Sequence, residues 1–166
     1  NGRPLQLRDA PGAASVAPNS LVEGRGGAVE KGRVGTAQGA HRSEAYRKLN
    51  PNGLVPTLVD GELGLYESAA ICLHLSDMHP AAGLAPAPGS AERAHFYKWL
   101  VWLTNTLQAT LIVYFYPERW MDEGHGAGVA ELKSHAEARA GAMLDQLDAE
   151  LARLEALHDA PWLLGA

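Results

Sequence analysis

The clearest pattern in the chain is a stripe. Val129, Leu132, Ala136, Ala140, Met143, Leu147, Leu151 and Leu154 recur at helical spacing, over roughly seven turns, and predict an amphipathic helix. Asp159-Ala160-Pro161 ends it, and the glycine-rich stretch Gly124 to Gly128 reads as the loop before it. Upstream, Phe96, Leu100, Leu103, Leu107 and Leu111 keep the same period in a helix that Ser90 caps and Pro117 ends. The 18 residues from Trp99 to Tyr116 carry no charge, which is the length of a membrane span. Thr104, Asn105, Thr106, Gln108 and Thr110 interrupt them, so the segment reads as a buried helix of a soluble protein.

The first half alternates shorter elements. Leu5 and Leu7 predict a strand, Pro11-Gly12 a turn, and Ala13 to Glu23 a helix with Pro18 in its first turns or at a kink. A second strand over Val29 to Val34 is a weaker reading among Gly24, Gly26, Gly27, Gly32, Gly35 and Gly39. A polar segment, His41 to Leu49, runs into the turn cluster Asn50-Pro51-Asn52-Gly53. A hairpin follows, with strands Val55 to Val59 and Leu63 to Tyr66 around Asp60-Gly61.

Pro56 offers no ladder donor and so belongs at an edge, a strand end or a special turn. A cis Val55-Pro56 bond is the minority reading, since only about 5–6% of such bonds are cis. Ser68 reads as the N-cap of a helix through Ala69, Ala70, Ile71, Leu73 and Leu75 that stops before His79-Pro80. This order predicts a small α/β domain over 1–79, a proline-rich linker over 80–88 and an all-α domain over 89–166.

Composition narrows the function. The chain has 166 residues, 46% of them hydrophobic, and a net charge of −5 from 14 basic and 19 acidic residues. No basic stripe follows a phosphate backbone, so nucleic acid is not an expected partner. The lone Cys72 forms no internal disulfide and reads as a buried structural thiol. The seven histidines lack metal-ligand spacing, so no metal is expected. Gly-x-Ser-x-Gly and Cys-x-x-Cys are absent, and Gly24-Arg25-Gly26-Gly27 lacks the third glycine of a dinucleotide loop. The opening residues mix Arg3, Arg8 and Asp9 with Gly and Pro, unlike a secretory leader, and the cytosol is the expected compartment. Arg8 falls in a strand that a sheet core would keep apolar, and an unpaired buried charge there predicts lowered stability.

The run Asn50-Pro51-Asn52-Gly53-Leu54-Val55-Pro56-Thr57-Leu58, then Asp60-Gly61, then Leu65-Tyr66-Glu67-Ser68-Ala69-Ala70-Ile71 resembles the glutathione-binding core of the cytosolic glutathione S-transferases. Leu84-Ala85-Pro86, Gly89 to Ala94 and Trp99 are similar to the family's linker and the first helix of its helical domain. Ala10 to Pro18 is similar to the first strand-to-helix turn of bacterial, beta-like members. The resemblance is firm from residue 41 to about 120. It implies a thioredoxin-like domain with a mixed four-stranded sheet, then a helical domain that is incomplete here, because members of the family continue past Ala166. It further implies a homodimer, glutathione as co-substrate and a hydrophobic electrophile as the second substrate.

The site residues follow from the same resemblance. A Val55-cis-Pro56 corner would pair its main chain with the cysteinyl unit of glutathione like an added strand. Glu67 would accept from the γ-glutamyl ammonium, and Ser68 with its helix N-terminus would hold the carboxylate; taken alone, Ser68 is an ordinary cap and Glu67 a solvated acid. Beta-like enzymes often carry a cysteine where this chain has Ala14, so Ser15 is the candidate thiolate stabiliser, with a helix cap as an equal alternative. Asn19, Gln108 and Tyr114 are candidates for the electrophile pocket, although packing or dimer contact also suits them. Conjugation is the expected activity; a non-catalytic binding module and a glutathione-dependent isomerase or lyase are the alternatives.

Overall fold

The computed structural model describes residues 5–10, 17, 18, 20 and 29–157. The chain separates into two compact units, Asn1–Ala85 and Pro86–Ala166. The first is thioredoxin-like. Its strands are β1 (Leu5–Asp9), β2 (Val29–Arg33), β3 (Thr57–Asp60) and β4 (Leu63–Tyr66), in the sheet order β2-β1-β3-β4. β1 runs parallel to β2 and antiparallel to β3, and β3 is antiparallel to β4, which makes the sheet mixed. Between β2 and β3 lie a 3-10 turn, Ala40–Arg42, and one turn of helix α1, Glu44–Arg47, where the sequence shows only a polar segment.

Strand alternation decides which side chains meet. Leu7 of β1, Leu58 of β3 and Leu65 of β4 stand opposite one another across the sheet. Helix α2, Ser68–Met78, lays Ile71 and Leu75, one turn apart, onto that row. Leu7, Leu58, Ile71 and Leu75 are fully buried, each contributing about 1.5–3 kcal/mol.

The same alternation corrects the expectation for Arg8. It points to the face away from this cluster and is only half-buried. Its Nη2 donates to Gln6 Oε1 at 2.8 Å, and Gln6 Nε2 donates to Glu30 Oε2 at 2.8 Å, so the charge reaches a carboxylate through one amide. Gly32, opposite Arg8 in β2, explains why the second strand reads weakly: a Cβ there would lie 2.8 Å from Arg8 Cδ. The strand gives up a side chain so that the guanidinium can lie across it.

Three boundaries also move. The first hairpin strand starts at Thr57, not Val55, because Pro56 has no N–H for the ladder. The N-cap of α2 is Glu67, and Ser68 is its first residue. In the second unit, α3 (Ala91–Val101) and α4 (Gln108–Phe115) are separated by a π-helical segment, Trp102–Leu107, where a single regular helix is expected. Gln108 N–H donates to Leu103 O, five residues back, and the Thr104 hydroxyl takes the Leu100 carbonyl at 2.8 Å, a competition that loosens helical winding.

Ser90 caps α3 by accepting from Arg93 N–H at 3.1 Å. Helix α5, Gly126–Leu157, absorbs the last glycines of the expected loop. Its predicted stripe faces inward: Ala136, Ala140, Met143 and Leu154 are buried, and Val129, Leu132, Leu147 and Leu151 are half-buried. Among the described residues no helix is long and apolar enough to cross a membrane.

Gly32→Ala should cost about 1 kcal/mol by displacing the hydrogen-bonded Arg8 side chain, and should be neutral or stabilising in an Arg8→Ala background. Chemical denaturation of the four proteins measures this, and an equal cost in both backgrounds would contradict the packing described.

Candidate functional site

The site follows from one register. β3 and β4 pair so that Thr57 faces Tyr66, which sets Pro56, one residue before Thr57, and Glu67, one residue after Tyr66, at the same end of the hairpin. β1 contributes its C-terminal end there, with Arg8 opposite Thr57 on the other flank. Val55, Pro56, Glu67 and Ser68 are thereby gathered by strand pairing alone. Ser15 and Asn19 lie outside the described residues.

Val55-Pro56 is a cis peptide bond. Pro56 is buried and Val55 half-buried, and the main-chain N–H and C=O of Val55 form no hydrogen bond among the described residues. At the other side of the corner, Glu67 has φ 73° and ψ 115°, where a non-glycine residue costs of order 1–3 kcal/mol and which clusters at ligand clamps. Glu67 is exposed and makes no side-chain cap bond to α2, which has no acidic residue in its first turn. The positive end of this eleven-residue helix thus receives no cap from the Glu67 side chain.

Beneath the corner sits a polar cluster that sequence reasoning missed. Tyr46, Asn50 and Thr57 are 7%, 2% and 0% exposed. Tyr46 Oη donates to Leu54 O at 2.8 Å and lies 2.9 Å from Thr57 Oγ1. Asn50 Nδ2 donates to Leu54 O at 2.8 Å and to Thr57 Oγ1 at 3.4 Å. Asn50 Oδ1 accepts from Asn52 N–H at 3.0 Å, and its carbonyl from Gly53 N–H at 2.9 Å. Gly53 turns at φ 60°, with His41 O 3.0 Å from where a Cβ would be, so a side chain there would be strained. Burial pushes the Tyr46 phenol up, with the Thr57 hydrogen bond and the Arg8 charge pulling the other way. His41 Nδ1, in the neighbouring 3-10 turn, is buried without a hydrogen-bond partner among the described residues. The only sequence signal for these residues is polar side chains close to a turn cluster, which does not separate burial from exposure.

Gln108 and Tyr114 belong to α4 of the helical unit. Gln108 is exposed. Tyr114 is half-buried, edge-on to Phe115 at 5.0 Å, with Lys133 Nζ of α5 5.2 Å from its ring centre, a packing role within that unit.

A sequence profile described as the N-terminal domain of glutathione S-transferase matches residues 30–78. An uncharacterised GST-like protein of Escherichia coli is 43% identical over 84 residues, 50% of this chain and 40% of that one. A probable maleylacetoacetate isomerase of Vibrio cholerae is 47% identical over 66 residues, 40% of this chain and 29% of its own length. The chain thus spans well under half of either relative. Among solved structures, the theta class glutathione S-transferase of Xanthomonas axonopodis pv. citri, with glutathione bound, superposes with a TM-score of 0.75 at 32% identity, over 98% of this chain and 74% of that one.

Cys72, in the second turn of α2, is buried, and burial pushes its thiol up to about 11 from 9.0. At pH 8 the thiolate fraction is then about one in a thousand, so a maleimide should label Cys72 only as fast as the protein opens. The unfolded chain releases this proton near pH 9.0 and the folded chain near 11, so this group leaves stability level below pH 9 and lowers it between pH 9 and 11. Denaturation midpoints across that range should fall less in Cys72→Ala; an unchanged slope would contradict the burial.

Proposed function

This chain belongs to the cytosolic glutathione S-transferase superfamily, and from that premise we propose that its first unit binds glutathione and presents the thiolate to a hydrophobic electrophile. The observation that carries the reading is the Thr57–Tyr66 register, which puts two complementary surfaces at one end of the sheet. One is the Val55 main chain, which forms no hydrogen bond among the described residues and offers an edge to an extended peptide. The other is the start of α2, with a positive dipole end and the Ser68 hydroxyl for a carboxylate and the Glu67 carboxylate for an ammonium. Glutathione carries a peptide stem and, at its γ-glutamyl end, both of those charges.

The chemistry needed is modest. A free thiol near pKa 8.5 is mostly protonated at neutral pH, and one donor aimed at the sulfur raises the reactive fraction. In this proposal Ser15 supplies that donor. A second reading, a glutathione-dependent isomerase, is favoured by the 47% identity to the probable maleylacetoacetate isomerase; it would regenerate glutathione, where conjugation consumes it.

Calorimetric titration with glutathione should show saturable binding that Ser68→Ala weakens about tenfold. Thioether formation from a chromogenic aryl halide should exceed the uncatalysed rate, and Ser15→Ala should lower it. A folded protein that takes up no glutathione would refute the proposal; binding without consumption of glutathione would shift it to the second reading or to a non-catalytic module.

A further inference from the structure

Proton counting gives the cluster beneath the corner a direction. The Tyr46 hydroxyl has one proton and spends it on Leu54 O. Its 2.9 Å contact with Thr57 Oγ1 must then use the Thr57 proton, with Thr57 donating to Tyr46. Asn50 Nδ2 supplies the rest, one hydrogen to Leu54 O and a longer one to Thr57 Oγ1. The result is a closed ring with one consistent assignment: Asn50 to Thr57, Thr57 to Tyr46, and both Tyr46 and Asn50 to the Leu54 carbonyl. All three side chains are buried, where such bonds strengthen one another and an unmatched group is costly.

The Leu54 carbonyl is one end of a peptide plane whose other end is the Val55 N–H. This peptide is trans, the cis bond being the next one along, so its C=O and N–H point in opposite directions. Two donors hold the carbonyl inward. They therefore hold the Val55 N–H outward, on the free main-chain edge of the corner. We propose that Tyr46 and Asn50 are positioning residues for the glutathione site: by gripping the Leu54 carbonyl they aim the Val55 N–H at the peptide stem of the ligand, without touching it. The inference rests on the glutathione-binding reading above and adds the device that keeps the donor aimed before the ligand arrives.

Thr57 separates aiming from general support. Thr57→Val opens the ring but leaves both donors on Leu54 O, whereas Tyr46→Phe and Asn50→Ala each remove one. All three lose buried hydrogen bonds, so all three should melt earlier than the wild type. Calorimetric titration with glutathione, below the melting range and with folding verified by circular dichroism, distinguishes them. Tyr46→Phe and Asn50→Ala should raise Kd about tenfold, and Thr57→Val by less than about threefold. The isosteric Tyr46→Phe carries the test if Asn50→Ala does not fold. Equal binding by the folded Tyr46→Phe protein and the wild type, or equal loss in Thr57→Val, would overturn the positioning role while leaving the glutathione site intact. A wild type that binds no glutathione would remove both.

Discussion

Thr57 is where the constraints of the first unit meet. Its main chain pairs with Arg8 on one side and Tyr66 on the other, so its place in the register fixes which ends of three strands share an edge. Its side chain, fully buried, closes the hydrogen-bond ring that holds the Leu54 carbonyl. Slipping the hairpin by one residue would turn Leu58 and Leu65 out of the apolar row and Thr57 into it. The apolar face and the polar corner thus exclude the same errors, and the proposed ligand edge inherits its accuracy from both.

The two faces of the sheet are built on different principles. One is an ordinary apolar contact of Leu7, Leu58, Ile71 and Leu75, whose energy depends on area. The other runs from Glu30 through Gln6 to Arg8, with Tyr46, Thr57 and Asn50 beyond, and its energy depends on every donor finding an acceptor. The Glu67 backbone, held at positive φ, stands between this polar side and the start of α2. Strain is tolerated there because β4 and α2 fix the residue from both ends.

Much of this arrangement is legible in the sequence. The hairpin, the opening of α2 and the stripe of α5 follow from turn residues and periodicity, because each is a local pattern that burial reinforces. The π-helical turn at Trp102–Leu107 is not legible, since Thr104 competes for a carbonyl in a segment whose apolar period stays helical throughout. Arg8 reads as a destabilising charge, and the strand that carries Gly32 reads weakly, for a related reason: only pairing across β1 and β2 shows that one makes room for the other. Tyr46, Asn50 and Thr57 were hidden because polar residues near a turn normally face water. Their burial is a tertiary fact. Ser68 was legible as a helix opening, though one residue out of place, since the strained Glu67 takes the cap position without the side-chain bond that cap statistics presume.

Every role proposed for the first unit requires that glutathione sit at the Val55 corner and the first turn of α2 together. Amide shifts of the isotope-labelled protein during a glutathione titration test this most directly. Binding at that place should give saturating shifts that are largest at Val55 and at Ser68, Ala69 and Ala70. Saturation with those amides unmoved and the shifts gathered elsewhere would contradict it.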